Sequence, residues 1–571
     1  MPLPPKVYTW LCGLFASLGS VIFGYDLGVI AGVLPAKDFQ TVMGPRYSNP
    51  NLVGLITSIF VLGCFAGMIP VAYAADHFGR RMTIQMACLV YLFGGAMQAG
   101  ARNMDMMLAG RFFAGFGVGI LADLAPLYQA EIAHPSIRGR LTTLQQFMLG
   151  IGAFCASWIT YGCAQGIPGT QAEWRVPLGI QMIPALPLLA FIPLLPESPR
   201  WLAEKGRIED ATSALARLHA HGNKSDIFVQ AQIEDIQAEI AKSKEIGSAS
   251  WGELFRVPSN FRRLSLGFIL QFSVQMTGVS AIQYYSTDIF TTMGFTSTRI
   301  LLFQSINSII ALIGEACCVI WVDHTGRRRP LVVGNIVSGL SFVVGSILMA
   351  RWPGSVDNDA AHYIFISTLQ LRSCRSLHPL TFTSPALPKH QSRTSSSPRL
   401  SPSKLIIISP IRLFRTWVFN FFFSACIGPL SWAYPAEIYS TRTRAKATAI
   451  TSASSWISNF FIAQVTPFAF KAVGWRYYLV FAILSHTNAA FIWSFFPETS
   501  GRRLEEMDAL FEKAPIFVPF SGYDKAEDRH AAENELREGR FVAGSLTEAV
   551  PGAHYNANDE EKVEDERDVK F

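Results

Sequence analysis

Apolar runs of about 20 residues, parted by short polar loops, recur along most of the chain. A run of that length crosses ~30 Å of hydrocarbon as an α-helix. The pattern predicts spans over roughly 9–33, 52–74, 82–101, 107–128, 140–163 and 176–195. It resumes over roughly 264–290, 301–322, 330–350, 444–468 and 476–496, with an interrupted tenth span before residue 444. Twelve spans are therefore expected. The expected organisation is a six-helix bundle over 1–203, a cytosolic helical linker over 204–261, a second six-helix bundle over 262–500 and a disordered cytosolic tail over 501–571. The stretch Ile233–Ile240 in the linker alternates as an amphipathic surface helix does.

The two sets of spans carry the same markers in the same order. Asp76-His-Phe-Gly79-Arg80-Arg81 returns as Asp323-His-Thr-Gly326-Arg327-Arg328. Behind each copy stand an acid and an arginine, Glu131 with Arg138 and Glu437 with Arg444, and then Pro196-Glu197-Ser198 or Pro497-Glu498-Thr499. Three ordered repeats indicate an internal duplication, a pattern common in membrane transporters. Its spacing also shows an irregularity. About 55 residues separate Asp76 from Glu131, but about 114 separate Asp323 from Glu437. The excess falls mainly on 371–414, which is rich in Ser, Pro and Arg, and one Arg costs ~2.5–3.5 kcal/mol at mid-membrane. Apolar sequence flanks it on both sides. We expect this stretch to be a retained intron or a gene-model error within the tenth helix, absent from the spliced message.

Composition agrees with an all-α polytopic membrane protein: 50% of residues are hydrophobic, 16% are charged, and Phe alone accounts for 42. The loops His77–Arg81, His134–Arg140, Lys205–Arg263, Arg327–Arg329 and Arg442–Lys446 are basic, whereas Asn103–Met106 and Thr291–Thr298 are not. The positive-inside rule then places both termini and the linker in the cytoplasm. The nine cysteines include no CxxC pair and sit mostly in apolar runs, as packing residues do. No catalytic triad, metal cluster or phosphate loop is evident, so no enzyme activity, cofactor, metal or nucleic-acid partner is expected. Gly110–Gly119 reads as a close-packing face within a membrane helix.

Two constellations point to chemistry. Asp26 lies inside the first span, where an ionisable group is by default a functional candidate. It can carry a proton, or it can be a structural carboxylate paired with Arg111 on the fourth span. The second constellation is the repeated loop set: Arg80 and Arg81 sit where Glu131 can reach them, and Arg327 and Arg328 where Glu437 can. Arg138 and Arg444 extend the two networks, and Asp76 and Asp323 open the two motifs. Charges paired at a closable interface make a bistable gate, although basic loops also serve topology alone.

The chain resembles sugar porters of the major facilitator superfamily, and is similar to fungal hexose and pentose transporters. The likeness runs from about Leu11 to Met507, apart from the inserted stretch. It is carried by Gly24-Tyr-Asp-Leu-Gly28, Asp76-x-x-Gly-Arg-Arg, Gly110-Arg111-Phe, Pro126-Leu-Tyr-Gln-Ala-Glu131, Arg138-Gly139, Pro196-Glu-Ser-Pro-Arg-Trp-Leu202, Gly428-Pro-Leu-Ser-Trp432, Pro435-Ala-Glu437 and Pro497-Glu-Thr499. The resemblance implies two pseudo-symmetric six-helix bundles in the major facilitator fold. It also implies proton carriage at Asp26, as in proton-coupled relatives, and a gate whose pairs hold the outward-facing state. A sugar needs amides for its hydroxyls and flat rings for its apolar face. By motif position the resemblance assigns these roles to Gln146, Gln275, Ser280, Tyr284, Tyr285, Trp432, Trp456 and Asn459. Membrane amides also act as interhelical glue.

The seventh span departs from the family pattern: Val274 precedes Gln275 where a Gln-Gln pair is usual, Ser280 replaces an Asn, and Gln283 replaces an aromatic. Asn307 and Glu315 are intramembrane and remain unassigned. The expected function is secondary active transport of a monosaccharide, hexose or pentose, with a proton, by a monomer in the plasma membrane. Its partners are the sugar, the proton and the lipid bilayer. The alternatives are a facilitative carrier, a carrier of quinate, inositol or a disaccharide, and a non-transporting sugar sensor that signals through the tail after Gly501.

Overall fold

Helix starts in this chain are written by caps and prolines. Asn49 accepts a hydrogen bond from the Asn51 N–H just ahead of a helix opened by Pro50, and Asn103 accepts from the Met106 N–H ahead of the next but one. Such side chains satisfy amides that the first turn leaves without partners. The structure is a computed structural model that describes residues 5–133, 138–246, 251–292, 297–351, 416–440, 443–499, 507, 510, 511 and 515–519. All regular elements among them are helical.

The first half comprises α1 (Pro5–Ala16), α2 (Leu18–Val33), the short α3 (Lys37–Met43), α4 (Pro50–Phe78), α5 (Arg80–Ala99), α6 (Met104–Ile132), α7 (Arg138–Gly166), α8 (Gln171–Ile180) and α9 (Ala185–Phe191). α1 and α2 together form the first crossing, and α8 with α9 the sixth. Four short helices follow outside the spans: α10 (Pro199–Glu204), α11 (Ile208–His219), α12 (Ile227–Ile246) and α13 (Trp251–Arg256). The second half comprises α14 (Pro258–Met276), α15 (Val279–Thr292), α16 (Ser297–Thr325), α17 (Arg328–Arg351), α18 (Gly428–Ile438), α19 (Arg444–Val473) and α20 (Tyr477–Phe495). Among the described residues ten stretches are long and apolar enough to cross a membrane, and one of them, Lys446–Phe495, covers both α19 and α20. The inserted stretch 371–414 lies outside the described residues, as does the tail from 520 onward.

The seventh crossing, expected to be continuous, is broken, and the tenth, expected to be interrupted upstream, carries an irregular turn of its own. The seventh stops at Met276 and restarts at Val279, with Gly278 at φ +86° between the pieces and a further kink at Tyr285. The tenth carries a π-helical turn over Phe423–Ile427 immediately before α18. Interrupted helices free backbone groups at mid-membrane and are typical of binding sites.

In lipid the hydrophobic effect does not drive helix against helix, so close packing must. α6 meets α4 through Gly115 and Gly119, where an added Cβ would overlap the Phe60 and Cys64 carbonyls. Among the described residues the halves touch chiefly along the seams of α4 with α19, α7 with α16, and α2 with α15, with a smaller contact of α7 on α18. Polar ties mark the seams: Ser58 Oγ donates to Gln464 Oε1 at 2.7 Å, Gln464 Nε2 to the Asn51 carbonyl at 3.2 Å, and Ser305 Oγ to the Ser157 carbonyl at 3.1 Å. All lie at the end of the bundle remote from Gly79 and Gly326.

Candidate transport site

The duplication is visible atom by atom at the basic-loop end. Gly79 and Gly326 adopt φ +90° and +76°, values that L side chains rarely adopt. Each turn exposes the amides that open the next helix, and a carboxylate caps them. Glu197 accepts from the Arg80 N–H at 3.2 Å, while Glu498 accepts from the Arg327 N–H at 2.8 Å and the Arg328 N–H at 3.0 Å. An anion at a helix N-terminus also meets the positive end of the macrodipole. A Cβ on Gly79 would lie 2.9 Å from Glu197, and one on Gly326 2.6 Å from Glu498. Burial nevertheless pushes the Glu197 carboxyl above its ordinary range. Tyr128 and Tyr434 repeat the symmetry by donating to the carbonyls of Pro196 and Pro497.

The gate residues divide their work. Arg80 grips Glu131 with two bonds, at 2.9 and 2.8 Å, and lies 3.6 Å from the exposed Asp76. Arg327 meets Glu437 at 3.0 Å. Arg81 does not join the acid as expected; it donates to the Pro193 carbonyl, and Arg328 likewise donates to the Trp493 carbonyl. Arg444 bonds the Tyr439 carbonyl at 3.1 Å. The side chains of Arg138 and Asp323 lie outside the described residues. The pairs Arg80–Glu131 and Arg327–Glu437 each join residues of a single half, so they brace helix ends within a bundle. The gate as expected from sequence pictured them at the closing interface itself.

At mid-bundle, Asp26 on α2 and Arg111 on α6 are both fully buried, 3.2 Å apart. Arg111 Nε also donates to the Ile56 carbonyl at 3.2 Å, and its guanidinium lies 4.5 Å from the Phe60 ring centroid. Asp26 Oδ2 and Arg111 Nη2 have no hydrogen bond of normal geometry among the described residues. The pair is therefore incompletely compensated in a low-dielectric site, where a missing partner is expensive.

Across the seam, Tyr284 lies within electrostatic reach of Arg111 and beside Asn459. The Tyr284 hydroxyl and Asn459 Oδ1 are buried without a bond of normal geometry, so both have hydrogen-bonding capacity left for a ligand. Gln275, at the end of α14, donates to Ser455 Oγ at 3.3 Å and accepts from Ser280 Oγ at 2.6 Å. Trp456 packs on Phe23, ring centroids 5.4 Å apart. Trp432 is 39% exposed. Gln146 of α7 approaches α18 at Gly428, one turn before Trp432. Tyr285 differs from the rest: its hydroxyl bonds Thr57 Oγ1 and the Ala463 carbonyl, each at 2.7 Å, and so joins α15 to α4 and α19. That geometry ties the two halves together rather than leaving the hydroxyl for a ligand.

Three features went unread in the sequence. Gln145, next to Gln146, turns inward and links Ser20 to Gln129, which fits interhelical glue. Phe23 supplies an aromatic wall from the N-terminal half. Asp123 sits inside α6, three residues before Pro126, with an intermediate exposure; its presence in an apolar run was the available signal. Asn420 Nδ2 donates to the Asn307 carbonyl, while Asn307 Oδ1 is left unsatisfied. Among the described residues no cluster of His, Cys, Asp or Glu has metal-binding geometry.

Two duplicated helix bundles with broken helices and buried polar groups at their seam define a polytopic membrane transporter of the major facilitator fold. The chain belongs to the sugar (and other) transporter family, whose pattern matches residues 12–371 and 400–511 and skips 372–399, within the inserted stretch. Members are transporters rather than enzymes. The chain is 30% identical to the MFS glucose transporter mfs1 of Aspergillus flavus, over 98% of this chain and 100% of the relative. It is 28% identical to a high-affinity glucose transporter of Kluyveromyces lactis, over 89% and 86% of the two chains. Among solved structures it resembles the proton:xylose symporter XylE bound to 6-bromo-6-deoxy-D-glucose, with a TM-score of 0.67, 23% identity, and coverage of 88% and 99%. It also resembles an inward-open conformation of XylE from E. coli, with a TM-score of 0.65, 24% identity, and coverage of 88% and 99%.

Proposed function

We propose that this protein carries a monosaccharide, a hexose or a pentose, together with a proton by alternating access of its two halves. The observation that carries the reading is the sealed Asp26–Arg111 pair, set against Tyr284 at the edge of the amide and aromatic groups. A carboxylate with one uncompensated oxygen gains from a proton, and releasing Arg111 from it changes the field at the adjacent ring and amides. The names of the relatives support a sugar as cargo. Gln146, Gln275, Ser280, Tyr284, Trp432, Trp456 and Asn459 would supply its hydroxyl partners and its stacking faces.

In the proposed orientation both termini and the 204–261 linker face the cytosol, and the protein works as a monomer in the plasma membrane. The ties made by Tyr285, Ser58 and Ser305 then fall at the outer end, with the long Gln146–Glu315 contact deeper in the bundle, which supports an inward-facing arrangement here. The test is radiolabelled monosaccharide uptake, at acidic and neutral pH, in cells lacking their own transporters. Acid-stimulated uptake is expected, and Asp26→Asn should abolish accumulation of the sugar driven by an inward proton gradient. Uptake unchanged by collapse of the proton gradient would overturn symport in favour of facilitated diffusion. Uptake of quinate or inositol without any monosaccharide would overturn the substrate class.

A further inference from the structure

Glu315 is unused by the reading above. It sits near the middle of α16, only 5% exposed, at the seam where this helix of the C-terminal half packs on α7 of the N-terminal half. Oε1 accepts one long hydrogen bond from Gln146 Nε2, 3.4 Å away across the seam. Oε2 is buried with no hydrogen-bond partner among the described residues. α7 leaves room for this carboxylate by presenting Gly150, where an added Cβ would overlap Oε2. The carboxylate is thus seated in the opposite half of the protein.

No cation offsets it among the described residues. On α16 the other charged or titratable groups beyond the cysteines are Arg299, sixteen residues before, and Asp323 and His324, eight and nine residues after; at 1.5 Å per residue all are at least about 12 Å distant along the axis. Cys318 lies one turn on, and Cys426 faces it from the tenth crossing. α7 contributes only Cys155, Tyr161 and Cys163 from the far side of Gly150, while Arg138 and Arg140 start that helix about 15–18 Å away. Arg327 beyond the end of α16 is engaged by Glu437.

We infer that Glu315 is a second proton-linked residue of the transport cycle, which binds a proton when the α7–α16 seam closes and releases it when the seam opens to water. The physical basis is that a carboxylate sealed without a cation cannot ionise cheaply, whereas a hydrated one can. The proton passes between Glu315 and bulk water, with no other group altered. Closing the seam also returns Gln146 to Glu315, so a sugar that recruits the Gln146 amide competes with the closed contact. Proton, seam and substrate are coupled through these two side chains. The inference rests on the alternating-access reading proposed above.

The test uses the full chain in proteoliposomes and measures equilibrium exchange of labelled glucose with equal pH on both sides, from pH 5 to 8.5. Exchange needs no net proton movement, so it isolates steps in which the loaded carrier reorients. Wild type should slow by about tenfold toward alkaline pH. Glu315→Gln, which keeps the shape without the charge, should slow by no more than about threefold, the remainder belonging to Asp26. A Glu315→Gln profile that superimposes on its parent would overturn the inference. If that variant fails to fold by size-exclusion chromatography, Glu315→Asp takes its place: a shorter, better hydrated carboxylate should move the alkaline limb, and an unmoved limb overturns the inference. A wild-type chain that exchanges no monosaccharide at any pH overturns the transport reading itself, and is distinguishable because no Glu315 variant is needed to see it.

Discussion

Replacing Asp26 by Asn leaves the size of the side chain nearly unchanged but strips Arg111 of its counter-charge. Both groups are fully buried and 3.2 Å apart, and Arg111 retains only the Ile56 carbonyl and the face of Phe60. Breaking a buried pair by removing one partner costs about 3–5 kcal/mol, because an uncompensated charge stays in low dielectric. Replacing both partners by neutral groups of similar volume is often close to neutral. Asp26→Asn and Arg111→Gln are therefore each expected to lower stability by about 3–5 kcal/mol, and the double variant to recover more than half of one loss. For the N-terminal bundle that corresponds to about 10 °C in unfolding temperature for each single change. The assay is intrinsic-fluorescence thermal unfolding in detergent at a fixed scan rate, since unfolding of such proteins is commonly irreversible. Additive losses in the double variant would refute the argument, because they would mean that neither group depends on the other.

Three further outcomes are expected. Gly326→Ala places a Cβ 2.6 Å from Glu498 on a backbone at φ +76°, and should cost at least about 2 kcal/mol, read as lower yield and thermal stability. Trp432→Ala and Trp456→Ala should separate: loss of the exposed Trp432 should raise KM for uptake about tenfold with little change in thermal stability, whereas loss of Trp456, buried on Phe23, should cost about 3 kcal/mol of stability. A chain lacking 371–414 should transport faster than the full chain, as measured by initial uptake per molecule at the cell surface; equal rates would show that the tenth crossing tolerates the insertion.

The repeated motifs made the basic-loop end legible from sequence, with Glu197 and Glu498 at matched positions. Their capping role was not foreseen, since a helix-capping carboxylate is chosen by where its own loop lands, well over a hundred residues along the chain. Asp26 and Arg111 could be paired from sequence because each is an ionisable group in an apolar run, and few such groups exist to satisfy one another. The division of labour among neighbours was not readable. Gln145 and Gln146 are adjacent and chemically identical, yet one bonds Gln129 inside its bundle and the other reaches Glu315 across the seam. Tyr284 and Tyr285 part in the same way, because a kink at Tyr285 turns one hydroxyl toward Asn459 and the other toward Thr57 and Ala463.

Sequence by itself determined that the chain crosses a membrane repeatedly, that it arose by duplication, and which intramembrane polar groups call for an explanation. Those properties depend on composition and period, which a bilayer reads span by span, since each helix satisfies its own backbone before it meets another. Tertiary structure alone decided which polar groups compensate one another, which are left with spare hydrogen-bonding capacity, and which side chain faces the opposite half. Such choices depend on helix rotation and on breaks such as that at Gly278, and they are settled by packing between helices far apart in the chain. Glu315 shows the difference most clearly: its cost was visible in the sequence, and its place against Gly150 of the other half only in the fold.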